Sequence, residues 1–282
     1  MAMSVNTNVG AMAALQSLNS TTKGLAQVQS RINTGLNVSS TKDDSAKYTV
    51  AQKLRGDMGE LSAVNSSLNR AKSSTDVAVA GAEQVSDLLN QMQAKAKEAS
   101  DTGIDADSRK AITKDLNALK KQVETVIDSS DFNGTNLLKG DSVTAGGKVS
   151  ALQSLSSTDN DNVLTVENQS FTDKAATAFG TTDIALADGA AADTLMGKLK
   201  TFSGEVRTSL SELGSASRKI DGQVSFNSKL ADVIEVGIGN MVDADLAKES
   251  AKLQALQVKQ QLGVQALSIA NQAPQSITSL FR

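Results

Sequence analysis

The sequence predicts a mainly α fold: long antiparallel helical hairpins packed as a coiled-coil bundle by the N- and C-terminal parts of the chain, with a small β-containing excursion in the middle. Aromatic residues make up only 2% of the 282 residues, and the apolar content is chiefly Ala, Val, Leu and Ile. Such small and aliphatic side chains suit close packing of helix on helix. A single proline, Pro274, is present, so nothing removes a helix hydrogen bond over most of the chain. Apolar residues then recur over long stretches in alternating steps of four and three, the period of a helical seam.

Taken in chain order, the first helix carries Ala11, Leu15, Leu18, Leu25 and Ile32 on a seam interrupted by Thr22 and Gln29, and Gly35 follows as its C-cap. The strongest pattern runs from about Ala46 to Ala99 through Val50, Leu54, Leu61, Val64, Leu68, Ala71, Ala78, Ala82, Val85, Leu89, Met92, Ala96 and Ala99. Only Asp57 and Thr75 break it. Thr41-Lys42-Asp43-Asp44 has the spacing of a capping box at its start, with Asp in place of Glu or Gln. After a turn at Asp101-Thr102-Gly103, Ile112, Leu116, Leu119, Val123 and Val126 predict a returning helix from about Asp107 to Asp128. A further long segment, Thr194 to Leu230, carries Leu195, Leu199, Phe202, Val206, Leu210, Leu213, Ile220 and Val224.

Between them, Phe132 to Asp193 loses the helical period and is rich in Gly, Ser, Thr, Asp and Asn. Val163-Leu164-Thr165-Val166 reads as a strand and Gly146-Gly147 as a turn. The alternative for this stretch is a loop without structure of its own. At the C-terminus one stripe holds Val242, Leu246, Leu253, Leu256, Leu267 and Ala270, and a second holds Ala247, Ala251, Ala255, Val258, Leu262, Ala266 and Ile269. A helix with two apolar stripes needs neighbours on two sides. The two ends are also poor in charge, with only Lys23 and Arg31 before Lys42 and only Lys259 and Arg282 after Lys252. Within one chain each terminal helix has at best the other as partner, so other copies of the chain are expected to cover the rest. Isolated helices of this kind are marginal in water, which predicts ends that order on polymerisation.

The expected division is therefore a terminal-helix polymerisation domain of residues 1–40 and 243–282, a helical rod of 41–131 and 194–242, and a small β-containing outer segment of 132–193. The expected polymerisation interface comprises Leu15, Leu18, Leu25, Ile32, Leu246, Leu253, Leu256, Leu262, Leu267, Ile269 and Leu280.

Composition excludes much chemistry. His and Cys are both absent, which removes the usual zinc sites and the Ser/His and Cys/His nucleophile pairs. Asp43-Asp44 sits at a helix start, where capping explains it, and Gly237-Ile238-Gly239 is not a phosphate loop. The net charge of −3 comes with no basic stripe for nucleic acid. Met1 to Gly10 lacks the basic and apolar regions of a secretory signal, and no stretch is apolar for long enough to cross a membrane. No catalysis, no cofactor, no nucleic acid and no membrane insertion are expected.

Several blocks also resemble the bacterial flagellin family: Ser4-Val5-Asn6-Thr7-Asn8-Val9, then Arg31-Ile32-Asn33-Thr34-Gly35-Leu36-Asn37, then Ser40-Thr41-Lys42-Asp43-Asp44-Ser45-Ala46. Asp131-Phe132-Asn133-Gly134-Thr135-Asn136-Leu137-Leu138 is similar to a further family motif, as are Asp243 to Glu249, Ala270-Asn271-Gln272-Ala273-Pro274-Gln275, and Ser279-Leu280-Phe281-Arg282. Phe281 departs from the usual leucine. The resemblance implies a subunit whose terminal helices form inner and outer tubes of a hollow extracellular filament used for motility, with the middle helices around them. Its implied partners are other copies or paralogous flagellins, an export chaperone, the flagellar type III export apparatus, and hook-associated and cap proteins, with export in unfolded form and no cleaved signal. Gln91, Gln93 and Ala94 stand where receptor-recognised flagellins carry arginines and a glutamate, which implies weak recognition by the toll-like innate immune receptor. The rival readings are a hook-filament junction protein and, from another class, a coiled-coil adaptor or membrane-active translocator.

Overall fold

The computed structural model describes residues 7–140, 147–154 and 163–280. Among the described residues there are six helices: α1 (Val9–Thr34), α2 (Ser45–Ala99), α3 (Ala106–Ser129), α4 (Phe171–Phe179), α5 (Gly189–Val242) and α6 (Leu246–Leu280). Four short strands, β1 (Asp131–Phe132), β2 (Thr135–Asn136), β3 (Val149–Leu152) and β4 (Val163–Val166), form two antiparallel pairs, β1 with β2 and β3 with β4. The chain divides into two compact units, one of residues 1–58 and 232–282 and one of residues 59–231.

In the second unit the predicted seam of α2 is buried at every position from Leu61 to Ala99, Thr75 included. Thr75 spends its hydroxyl on the Ala71 carbonyl, 2.8 Å away in its own helix, so it enters the core without an unpaired group. Opposite it stand Leu195, Leu199, Phe202, Val206, Leu213 and Ile220 of α5 and Ile112, Leu116, Val123 and Ile127 of α3, all in one apolar cluster. Gly81 allows the closest approach: a Cβ there would lie 2.1 Å from Ser130 Oγ and 2.9 Å from Leu138 Cδ1.

The turn into α3 is tied by Asp101 Oδ1, which accepts from Gly103 N at 2.9 Å. Asp105 caps α3 by accepting from Asp107 N and Ser108 N, and the Ser108 hydrogen bond holds its carboxyl below the ordinary value. Asn133 and Gly134 both have positive φ, the signature of the two-residue turn that matches strand twist. That turn closes the β1–β2 hairpin and delivers Leu137 and Leu138 to the core. The strand read at Val163–Val166 is β4, paired with β3. Gly146 of the expected turn lies outside the described residues.

Four local expectations need correction. Phe171–Phe179, read as part of an irregular stretch, is a helix, because Phe171, Ala175, Ala178 and Phe179 fall on one face and bury it. Phe171 and Phe179 meet Phe202 edge-on, with ring centroids 6.0 and 5.7 Å away, a favourable geometry for aromatic quadrupoles. The core face of α3 takes Lys120 and Ile127, while Leu119 and Val126 sit at its edge. The Lys120 stem lies in the core and its ammonium donates to the carbonyls of Gly180 and Thr182 at 3.0 and 2.5 Å.

The third correction is that α5 spans Gly189–Val242, beyond both predicted ends. Asp188 Oδ1 starts it by accepting from Ala191 N at 2.7 Å. At its far end Gly237 and Gly239 are carried through because Ile234, Ile238, Met241 and Val242 pack with Val38, Tyr48, Ala51 and Leu54 in the small core of the first unit. Fourth, Thr41 does not cap α2. Asp44 does, its Oδ1 accepting from Lys47 N at 3.1 Å.

Candidate assembly surface

The first unit joins the two chain ends. Asn8 caps α1 by accepting from Ala11 N at 3.0 Å, and Gly35 ends it in the left-handed conformation with φ 69°, as glycine at that position does without strain. From Gly35 the chain pairs with the start of α6. Ala244 N donates to Gly35 O at 2.9 Å, Asn37 N donates to Val242 O at 2.7 Å, and Leu36 bridges antiparallel to Asp243. Asp245 Oδ1 then accepts from Ala247 N and Lys248 N at 3.0 and 3.1 Å and starts α6. The neighbouring loop is fastened by Asp43, whose Oδ2 accepts from the backbone and hydroxyl groups of both Ser39 and Ser40. Those hydroxyl bonds are the main reason that the Asp43 carboxyl is held below its ordinary value.

So tethered, α1 and α6 run antiparallel. Asn8 Nδ2 donates to Ala270 O at 2.7 Å, Leu18 lies over Gly263, Leu256 over Gly24, and Arg31 Nη1 reaches Glu249 Oε1 at 3.4 Å. Partners descend in α6 as they ascend in α1. The opposed helix dipoles favour this arrangement.

Of the predicted interface residues, Leu18, Leu25, Ile32, Leu253, Leu256 and Leu267 are half-buried, on the faces that α1 and α6 turn inward. Leu15, Leu246, Leu262 and Ile269 are exposed, Ile269 to 69%. Leu280 ends α6, and its side chain lies outside the described residues. The α1 seam differs from the expected one. Ala14, Thr21 and Val28 turn inward where Leu15, Thr22 and Gln29 were expected, and Val28 is 1% exposed. The steps are therefore three then four, and small residues at 14 and 21 allow the close approach. A signal for this was present in the small-residue positions Ala14, Thr21 and Gly24, which larger apolar neighbours outweighed. Sequence reading also missed Val9, Met12 and Val264, all exposed.

α6 thus turns the stripe of Leu253, Leu256, Leu267 and Ala270 toward α1, and presents that of Ala251, Val258, Leu262, Ala266 and Ile269 outward. Together with Val9, Met12 and Leu15, this leaves an extended apolar surface with very little charge. Among the described residues no group of acidic side chains is placed to hold a metal ion, and no helix is long and apolar enough to cross a membrane.

A helical protein that holds its two ends together while leaving an apolar face along them uncovered has the features of a structural subunit that docks through that face. The sequence profile of the bacterial flagellin N-terminal helical region matches residues 5–143, and that of the C-terminal helical region matches residues 196–281. Flagellin FljM of Caulobacter vibrioides is 43% identical over 279 residues, covering 99% of this chain and 98% of that protein. A flagellin of Brucella melitensis is 35% identical over 286 residues, with 99% of each chain covered. The crystal structure of Bacillus cereus flagellin aligns with a TM-score of 0.48 and 21% identity, over 56% of this chain and 86% of that one. The chain belongs to the bacterial flagellin family. It is a structural subunit of the flagellar filament, assembling with copies of itself or paralogues.

Proposed function

We propose that the chain polymerises through residues 1–40 and 243–282, with the outward faces of α1 and α6 as the contact between copies in an extracellular filament. The observation that carries this is the exposed stripe of Val258, Leu262 and Ile269 on α6, with Leu15 exposed on α1 and Leu246 exposed at the start of α6, on helices that engage each other through one face only. Leu18, Leu25, Ile32, Leu253, Leu256 and Leu267 serve the interface by shaping the pair beneath it. Residues 41–131 and 194–242 act as the helical rod and 132–193 as an outer segment. Contacts that repeat without closing into a ring give a filament of indefinite length.

Family membership supports export through the flagellar type III apparatus in unfolded form with no cleaved signal, an export chaperone, and contact with hook-associated and cap proteins. Mass spectrometry of subunits from sheared filaments tests this, with Ser4 to Asn8 expected in the terminal peptide. Catalysis has no part in this reading: of the Asp43-Asp44 pair, Asp43 is held by Ser39 and Ser40 and Asp44 caps α2. Weak recognition by the toll-like receptor is also proposed, and full potency in a receptor reporter assay would overturn it.

The deciding experiment is negative-stain electron microscopy of the chain after seeding. Long filaments are expected from the intact protein, and none from Leu262→Glu with Ile269→Glu or from a chain lacking residues 1–40 and 243–282. Intact protein that stays unassembled with seeds present would favour a junction protein or adaptor.

A further inference from the structure

Most of the α1–α6 seam does not specify its own alignment. Leu18, Leu25 and Ile32 recur at heptad spacing, and on α6 Leu253 and Leu267 stand two heptads apart with Gln260 between them, so sliding one helix by seven residues would again set half-buried positions of the two rows against one another. Besides the backbone bonds at Gly35 and Asn37 and the Asn8–Ala270 bond at the far end, three contacts within the seam do not survive that slide. A methyl added at Gly263 would sit 3.3 Å from Leu18 Cδ1, and one at Gly24 would sit 3.6 Å from Leu256 Cδ1, so each helix contributes a leucine knob and receives one at a glycine. Displaced by a heptad in either direction, Leu18 would meet the side chain of Leu256 or Ala270 in place of a glycine, a mild crowding at Ala270 and a larger one at Leu256. Gly24 would face Gly263 or Glu249.

The third contact is ionic. Arg31 Nη1 and Glu249 Oε1 are 3.4 Å apart with both side chains largely covered, and Lys252 Nζ lies 3.9 Å from the same oxygen. After a one-heptad slide Arg31 would stand opposite Val242 or Leu256. Arg31 Nε and Glu249 Oε2 are buried with no hydrogen-bond partner. Such an incompletely satisfied pair adds little strength, and fixing register is the best-attested use of buried polar groups of this kind.

We infer that Leu18–Gly263, Leu256–Gly24 and Arg31–Glu249 form a register lock, and that these six are positioning residues deciding which outward side chains of α1 and α6 lie abreast. The lock is a property of the helix pair; its consequence for filament growth rests on the assembly reading above. Arg31 and Glu249 exclude the slipped alignments, while the two leucine–glycine contacts set the spacing of the native one.

The natural chain has no cysteine, so introduced pairs report the register. Thr21 and Gln260 are both half-buried and stand in step with the three contacts. A chain with Thr21→Cys and Gln260→Cys, co-assembled as a minor component with unaltered chain, is expected to form an intrachain disulfide. Thr21→Cys with Leu253→Cys or Leu267→Cys is expected to form none, since a seven-residue shift moves the partner by about 10 Å, beyond the roughly 7 Å reach of a disulfide. Adding Arg31→Gln is expected to make the shifted crosslinks appear. Arg31→Glu with Glu249→Arg is expected to restore the native crosslink, or entry into filaments if Arg31→Glu alone is excluded from them. Filaments in which Arg31→Gln still crosslinks only in the native register, or a charge exchange that restores nothing, would overturn the lock and leave the assembly reading standing. Absence of the native crosslink in otherwise unaltered filaments would also overturn it.

Discussion

Helices α1 and α3 are of similar length, 26 and 24 residues, yet the structure treats them differently. α3 buries Ile112, Leu116, Lys120, Val123 and Ile127, whereas α1 buries only Val28. The cause is the number of neighbours. α3 shares a core with α2, α4, α5 and the strands of its unit, while α1 has α6 along its length and little else. Burial of the apolar face, rather than intrinsic propensity, supplies most of a helix's stability. Similar sequence patterns therefore give a finished core in one unit and an unfinished one in the other, and a filament subunit can use both.

The largest expected contrast is in amide hydrogen exchange. In the free subunit α1 and α6 are expected to exchange rapidly and α3 and residues 61–99 of α2 slowly. In the filament the protection of α1 and α6 should rise by roughly a hundredfold or more, with little change in α3. Full protection of residues 9–32 and 246–272 in the free subunit would erase the distinction.

Next in size is a cavity test. Leu116→Ala, at a fully buried site, is expected to cost about 2–5 kcal/mol in denaturant unfolding of the free subunit. Ile269→Ala should stay within about 0.5 kcal/mol in the same assay. Equal losses would mean that α6 is already part of a cooperative core. A close-packing test is smaller. Gly81→Ala puts a methyl into Ser130 Oγ and is expected to cost about 1–3 kcal/mol, part of which Ser130→Ala should relieve. No effect of Gly81→Ala would show that α2 and the chain around Ser130 move apart easily.

The smallest effect belongs to Asp43 and depends on pH. Its folded carboxyl titrates below the ordinary 3.8 because the Ser39 and Ser40 hydroxyls donate to it. Its stabilising contribution is therefore complete above pH 3.8 and fades as pH falls through the lower folded value. The difference in stability between the natural chain and Asp43→Ala should be level at neutral pH and shrink in acid. A difference that instead grows with acidification would contradict the hydrogen-bond arrangement.

The long elements were legible because periodicity over many turns outweighs any one residue. The seam from Leu61 to Ala99, the stop at Gly35 and the strand at Val163–Val166 all stand where the pattern puts them. Misses came where one local feature outranked the pattern. Leu15 drew the α1 seam toward itself because it is more apolar than Ala14, yet Ala14 is the half-buried one and Leu15 is exposed. Lys120 was hard to read as a core residue, since the carbonyls of Gly180 and Thr182 that take its ammonium lie some sixty residues later in the chain, beside an ion pair with Glu124 on its own helix. Helix α4 hid in Ser/Thr/Asp-rich sequence, and its evidence is the spacing of Phe171, Ala175, Ala178 and Phe179. For the assembly surface, the sequence identified the stripes of α6, but their assignment to inward and outward faces waited on the register with α1.

Asn8 accepts a bond from Ala11 at the start of α1 and donates one to Ala270 far along α6. A single amide side chain thus couples the two extremities of a chain whose contact spans 262 positions. Removing residues through Asn8 takes away both the cap at the start of α1 and a bond that α6 uses, so in assembled chains α1 and α6 should become susceptible to proteolysis together.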